Sequence, residues 1–423
     1  MKVCVFGCGN VGLIVSASLS EIGHEVYCID TNDYKIKNIN QGILDIYEPN
    51  LAEIIQKNKE TNRLRFYTKY EPEQDTDVYI IAVNTQEKSN DEVDISNITN
   101  VLNKIISSIT KYSVIIIKST VPIGSCDNLT QEFKQKTTIG FDIVANPEFL
   151  SQGSALDNFL NPERIIVGTK SQTALERIKE LYAPLKSEII VMDEKSAELT
   201  KYASSSFLAA KISFINEIAN LASMVHADIN LVRKGLMSDS RIGKDFLNPG
   251  AGYGGSCFSE DVARIINIAD KYKVDLNVVK SARIANENQK RRFIGNILKH
   301  YNYNIENKVF CIWGLSYKPN TNDIKNAPSN TIIDTLIRYG ATIRAYDPKA
   351  QNSAIKQYKS KEDALMSSNA LIIATEWDEF LNPDFEFIAK NLADRVIFDA
   401  RNIYTELNLA QYGLEYYYTG RPE

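Results

Sequence analysis

The stretch NPGAGYGGSCFSED, residues 248–261, sets one thiol, Cys257, behind a run of small residues and one helical turn ahead of a carboxylate, Asp261. A cysteine attacks a carbonyl carbon only as its thiolate, and the positive end of a helix dipole lowers the thiol pKa. The residues that follow, SEDVARIINIADKY, read as a helix with Ser259 as its cap, which sets Cys257 at that positive end. The plainer reading is a small buried hydrophobe. The flanking glycines favour the reactive one, because glycine lets a substrate approach the backbone and adds little to packing. Asp261 could then orient a water or a proton, although acids at helix starts also occur simply to complement the dipole.

Lys201 is the second candidate. Lys201, Ser205, Leu208, Ile212 and Ile215 recur at spacings of four and three and therefore share one helix face. Either the lysine stem packs there with its ammonium in solvent, or the ammonium is partly desolvated and donates to an oxyanion or a sugar hydroxyl. Thr120 in KSTVP and Glu148 in NPEF each follow an apolar strand, where ligands of parallel sheets lie. Thr120 could equally cap a helix, and Glu148 could be a solvated loop acid.

VCVFGCGNVG, then a helix pattern, then HEVYCID, supply Gly7, Gly9 and Gly12 after a strand, with Asp30 ending the next strand. Gly7 makes the tight turn, Gly9 admits a pyrophosphate, and Gly12 lets helix pack on sheet. The helix N-terminus offers its unpaired N–H groups, and Asp30 would bind a ribose 2′-hydroxyl while repelling a 2′-phosphate. NAD is the expected cofactor, with Lys35 on its adenosine side or simply exposed. A dinucleotide site combined with an activated cysteine suggests oxidation through a thiohemiacetal, loss of hydride to give a thioester, and hydrolysis to a carboxylate.

The elements that must position these groups alternate. KVCVFG, EVYCID, DVYIIAV, SVIIIKS and FDIVANPE read as strands with helical stretches between them, and KVFCIWG, TIRAYD, ALIIATE and RVIFDAR repeat that rhythm after about residue 305. Between the two lies SAELTKYASSSFLAAKISFINEIANLASMV, a single long helix without glycine or proline. The expected fold is α/β: two Rossmann-like doubly wound parallel-sheet domains joined by a long central helix. The expected limits are 1–195, 196–300 and 301–423. GLEYYYTGRPE reads as an edge strand and tail.

A length of 423 residues implies more than one core, and 44% hydrophobic with 24% charged residues fits a soluble globular protein. Six scattered cysteines and three separated histidines leave no metal-like spacing and point to a reducing cytoplasm. A net charge of -5 gives no nucleic-acid footprint, no apolar run reaches membrane length, and MKVCVFGCGNVGL reads as a first strand rather than a signal peptide.

Taken together, VFGCGNVGL, IIKSTVPIGS, ANPEFL, NFLNPERIIVG, ELTKYASSSFLAAKISFINEIA, SRIGKDFLNPGAGYGGSCF and GLSYKPNTNDIKNAP resemble the UDP-glucose/GDP-mannose dehydrogenase family over nearly the whole chain. Within the family the UDP-glucose 6-dehydrogenases are the most similar, on the FLNPGAGYGGSC loop. The resemblance implies an N-terminal NAD domain, a central helix that makes a homodimer, a C-terminal domain closing over a UDP-sugar, and oxidation of the sugar C6 alcohol to a carboxylate with two NAD. It implies Cys257 as nucleophile, Lys201 as oxyanion stabiliser, Asp261 and Thr120 positioning water, and Glu148 assisting thioester hydrolysis. It further implies cofactor contacts at Gly7, Gly9, Asn10, Val11, Gly12, Asp30, Lys35, Thr85, Ser119 and Thr120. Substrate contacts are implied at Glu148, Phe149, Leu150, Lys201, Phe246, Leu247, Gly250, Gly254 and Lys318, with Arg241 reaching the partner's sugar.

The chain departs from the family pattern at Ser205 (usually Asn), Ser259-Glu260 (Pro-Lys), Ser151-Gln152 (Arg-Glu), Lys325 (Arg) and AVNTQ (glycine-threonine-proline). A reversed charge and a lost guanidinium fork predict weaker NAD binding. The competing readings are a related GDP-mannose or UDP-N-acetyl-hexosamine dehydrogenase, a two-electron 3-hydroxyacid-type dehydrogenase, and an impaired paralogue that binds nucleotide sugar without turning it over.

Overall fold

The computed structural model describes residues 1–71, 76–87 and 93–422, with Gln86, Glu87 and Cys257 described by backbone alone. The chain divides into two compact units, Met1–Ser204 and Ser205–Glu423.

The first unit begins β1 (Lys2–Phe6), α1 (Asn10–Glu21), β2 (Glu25–Ile29), α2 (Asp33–Asn40), α3 (Leu51–Glu60), β3 (Leu64–Tyr67) and β4 (Val78–Ile81). The two-residue strands β5 (Gln86–Glu87) and β6 (Val93–Asp94) pair with each other. The unit continues α4 (Ser96–Ile106), β7 (Ser113–Ile117), α5 (Ser125–Lys134), β8 (Phe141–Ala145), α6 (Ala155–Leu160), β9 (Ile165–Gly168), α7 (Gln172–Tyr182) and β10 (Ile189–Met192). Among the described residues eight strands form one sheet in the order β10-β9-β8-β7-β4-β1-β2-β3. Because the chain leaves β1 on one side through β2 and β3 and returns on the other at β4, the β1/β4 boundary is a switch point, with a crevice at its carboxyl edge.

Alternation along β1 explains why both faces are covered. Val3 and Val5 face the layer with Leu13, Ile55 and Ile178, while Cys4 and Phe6 face the layer with Leu102, Leu129 and Phe133. The sheet is parallel except where β9 meets β8, through Ala145 and Gly168, running antiparallel. This differs from the wholly parallel sheet expected from the sequence, in which β9 and β10 have no counterpart. Their four-residue runs sit in polar surroundings and carry no clear period.

The division between the units falls inside α8 (Glu194–Met224), the long helix expected from the sequence. The second unit continues α9 (Ile229–Met237), α10 (Ser256–Lys271), α11 (Asn277–His300), β11 (Val309–Trp313), α12 (Pro328–Arg338), β12 (Thr342–Tyr346), β13 (Lys356–Gln357), β14 (Ser368–Ile373), β15 (Leu392–Asp399) and β16 (Glu415–Tyr418). Its sheet, ordered β13-β12-β11-β14-β15-β16, is parallel throughout, and the tyrosine-rich tail strand forms its edge. α10 starts four residues earlier than the Ser259 cap implied. Gly255 occupies its N-cap at φ 94°, a conformation that costs little only for glycine, and donates its N–H to the Lys325 carbonyl at 3.0 Å. The Cys257 backbone therefore lies in the first turn. No helix among the described residues is long and apolar enough to cross a membrane.

Candidate active site

In the first unit the glycine loop follows β1 at the switch point. Gly7 has φ 103°, and a Cβ there would lie 2.6 Å from the Ala82 carbonyl oxygen; one on Gly12 would lie 1.8 Å from that of Gly7. Gly9 is the N-cap of α1 and brings no side-chain cap, so the first-turn N–H groups remain available to an anion. Asn10 is exposed and Val11 half-buried at that turn. A Cβ on Gly9 would meet the Asn84 amide oxygen at 3.3 Å, so part of the divergent AVNTQ segment borders the loop. Asp30 accepts the Cys8 N–H at 2.8 Å and the Asn32 N–H at 3.0 Å, which fixes its carboxylate beside the loop. Lys35 pairs with Asp45 at 3.0 Å rather than pointing freely into solvent. This cradle, with an acid at the ribose position, fits NAD.

Thr85, Ser119 and Thr120 gather along the same carboxyl edge. Thr85 donates to the Thr120 carbonyl at 3.3 Å, and Ser119 donates to the Val83 carbonyl at 2.7 Å. Thr120 caps no helix, because α5 begins at Ser125 behind Gly124. Ser119, Thr120, Pro147, Glu198 and Lys201 line one small pocket.

Two of the plainer readings fail here. Glu148 is not a solvated loop acid and Lys201 does not reach into solvent: they are 8% and 7% exposed, and their charges meet at 2.8 Å. Glu148 also accepts the Leu150 N–H at 2.7 Å. Burial pushes its carboxyl up, but the Lys201 ammonium, the Leu150 N–H and the charge of Lys118 outweigh that and hold it below its ordinary 4.5. The Phe149 ring carries Lys201 at 5.8 Å and Arg164 at 4.8 Å on its face, while Leu150 packs against the core.

Two further charged groups in this neighbourhood are not evident from the sequence. Glu198 is 4% exposed and accepts the N–H groups of Gly124 and Cys126, capping α5 from α8. Lys118 is 5% exposed at the end of β7. The available signal was a lysine directly after an unbroken apolar strand.

In the second unit the thiol loop is held by side-chain amides. Gly250 donates its N–H to Asn216 at 2.8 Å and accepts from Gln289 at 2.7 Å, and the Tyr253 N–H donates to Asn286 at 2.8 Å. A Cβ on Gly250 would lie 2.4 Å from the Ala400 carbonyl oxygen, and one on Gly254 2.4 Å from that of Asn326. The glycines thus answer a packing demand, where the sequence reading invoked substrate approach alone. The Cys257 thiol lies outside the described side chains. Asp261 is 1% exposed and accepts the Ser205 hydroxyl at 2.9 Å. Glu260, the charge reversal, is paired with Arg264 at 3.0 Å and with Lys325.

The remaining expected substrate residues differ in setting. Phe246 stacks on Phe258 at 6.3 Å and is 39% exposed, while Leu247 is buried with Ile215 and Ile229. Lys318 lies 5.9 Å from the Tyr317 ring centroid. Arg241 is exposed and held by both oxygens of Asp239. Arg401, unmentioned in the sequence reading, pairs with Glu376 and donates to the Tyr317 carbonyl at 3.4 Å.

A glycine-cradled dinucleotide frame in one unit and a second parallel sheet in the other define a two-sheet, dinucleotide-dependent dehydrogenase. The chain belongs to the UDP-glucose/GDP-mannose dehydrogenase family: its NAD binding domain matches residues 1–186, its central domain 195–288 and its UDP binding domain 311–406. The UDP-glucose 6-dehydrogenase YwqF of Bacillus subtilis (strain 168) is 38% identical over 433 residues, covering 100% of this chain and 98% of that relative. A UDP-glucose dehydrogenase from the hyperthermophilic archaeon Pyrobaculum islandicum superposes with TM-score 0.88 at 27% identity, covering 98% of this chain and 96% of that one. A UDP-D-ManNAc dehydrogenase from Pyrococcus horikoshii shares the fold, with TM-score 0.87 at 24% identity over 100% and 99% of the two chains. The cofactor is NAD.

Replacing Asp30 by serine is expected to weaken NAD binding about tenfold and to relieve the rejection of NADP. Titration of each dinucleotide by protein fluorescence checks this; an unchanged NAD/NADP ratio contradicts it.

Proposed function

We propose that this enzyme oxidises C6 of UDP-glucose to the carboxylate, forming UDP-glucuronate, through a covalent bond to Cys257. The sugar assignment is supported by full-length relatives named UDP-glucose 6-dehydrogenase and by the FLNPGAGYGGSC loop. The observation that carries the chemistry is the buried Lys201–Glu148 pair at 2.8 Å beside Thr120, a cation and a base kept out of water.

The alcohol is first oxidised to an aldehyde. The Cys257 thiolate then adds to the aldehyde carbon, giving a thiohemiacetal; loss of hydride leaves a thioester, and water cleaves the C–S bond to return the thiol and release the carboxylate. Bound NAD supplies the acceptor for one hydride at each oxidation. Lys201 donates to the oxygen on C6 as its charge grows. Asp261, held by Ser205, and Thr120 orient the water, and Glu148 takes its proton. Lys318, Phe149, Leu150 and Phe246 contact the substrate, whereas Leu247, with its side chain in the core, and Gly250, with both backbone groups engaged, shape the loop.

Residues 1–195 act as the NAD domain, 196–300 as the helical dimerisation region and 301–423 as the UDP-sugar domain. A second copy of the chain covers α8. Phe207, Phe214 and Leu221 recur at heptad spacing there and are 68%, 51% and 58% exposed. The partner's Arg241 then reaches the sugar.

With UDP-glucose and excess NAD, two NADH are expected per sugar consumed, and Cys257→Ala is expected to lower turnover by about a thousandfold or more. One NADH per sugar, or wild-type turnover by the alanine variant, contradicts the mechanism; turnover only of GDP-mannose or a UDP-N-acetyl sugar overturns the substrate. Light scattering is expected to give a dimer mass that Phe207→Asp with Phe214→Asp halves. A monomeric wild type would refute the dimer.

A further inference from the structure

Lys118 is a buried cation that the reaction just described leaves without a task. It is 5% exposed, directly after β7, and among the described residues its ammonium makes a single long hydrogen bond, to the Asn146 carbonyl at 3.4 Å. The Phe159 and Tyr182 ring centroids lie 5.8 and 6.0 Å away, and the Tyr182 hydroxyl donates to the Asn146 side chain at 2.6 Å. Asn146 in turn donates to the Ile166 carbonyl at 2.7 Å, so the strand end that carries Glu148 two residues on is fixed from three sides. The charged groups that act on Lys118 are Glu148, which favours its charge, and Lys201, which opposes it. Burial is the largest influence and pulls its pKa down to about 8, which leaves it mainly protonated at neutral pH.

A buried ammonium with so little hydrogen bonding costs stability. What it supplies is charge. Lys118, Lys201 and Glu148 together carry two positive charges and one negative, a net of +1. Without Lys118 the Lys201–Glu148 pair is neutral, and any shift of the Lys201 ammonium toward a substrate oxygen would strand a buried carboxylate.

We propose that Lys118 is a positioning residue for the dehydrogenase reaction: it keeps Glu148 ionised and leaves Lys201 with uncancelled positive charge for the developing oxyanion. This rests on the reading of Glu148 as the base, and the test separates the two.

The experiment compares wild type, Lys118→Met, Lys118→Arg and Glu148→Gln in kcat against pH and in thermal unfolding. Removing the Lys118 charge makes Glu148 easier to protonate. The acid limb of kcat in Lys118→Met is therefore expected to move up by about one pH unit, with kcat at neutral pH down about tenfold. Its Tm is expected to be no lower than wild type, because a buried charge has been removed. Lys118→Arg is expected to bring the limb back toward its wild-type position. A merely structural lysine would lower Tm and leave the limb in place. If Glu148→Gln is slow while Lys118→Met keeps the wild-type limb and kcat, the Lys118 proposal alone is overturned. If Glu148→Gln turns over like wild type, the reading of Glu148 fails and the proposal falls with it.

Discussion

An ammonium and a carboxylate meeting at 2.8 Å, each less than a tenth exposed, constrain everything around them in the first unit. Removing either partner of such a pair leaves a buried, uncompensated charge, at a cost of about 3–5 kcal/mol. The pair ties the loop after β8 to α8, with the Leu150 N–H and the Phe149 ring beside the two charges. Its pH behaviour follows from the lowered carboxyl. Glu148 contributes its full stabilisation above about pH 4.5 and loses it as pH falls through the depressed folded value. At neutral pH the pair is intact. The base role proposed for Glu148 calls for the same ionised carboxylate that supports the fold.

Both sheets use a glycine turn and an acid, to different effect. In the first unit Asp30 accepts two backbone N–H groups from the loops beside the cradle and keeps acceptor capacity on both oxygens. In the second, Gly314 has φ 93° and Asp347 ends the adjacent strand, but its carboxylate is taken by the N–H groups of Leu315, Ser316, Lys349 and Ala350 and by the Trp377 indole. An acid so occupied has less acceptor capacity left for a ligand than Asp30. The two frames look alike in pattern and differ in what remains unpaired, which fits a family with an NAD domain at one end and a UDP domain at the other.

Local pattern in the sequence reached the elements and the cofactor cradle. The glycine triad with Asp30, the all-apolar strands and the uninterrupted α8 are each readable within about 30 residues. What escaped was non-local. Glu148 and Lys201 lie 53 residues apart, and each alone reads as an ordinary polar residue, so only the fold reveals the burial and the partner. Lys118 directly follows an all-apolar strand, yet its burial and its neighbours are likewise set only by the fold. Ser259 looked like a cap because serine favours that position, yet the contact of Gly255 with Lys325 starts α10 earlier. Likewise the glycines before Cys257 look like room for a substrate until Ala400 and Asn326 are found against them.

The most direct measurement is intact-protein and peptide mass spectrometry of Glu148→Gln, quenched in acid during turnover of UDP-glucose with NAD. With the base that assists C–S cleavage removed, the account requires the uronyl group to accumulate on the peptide containing Cys257. Full conversion to the acid with that peptide never carrying the sugar carbon would contradict it.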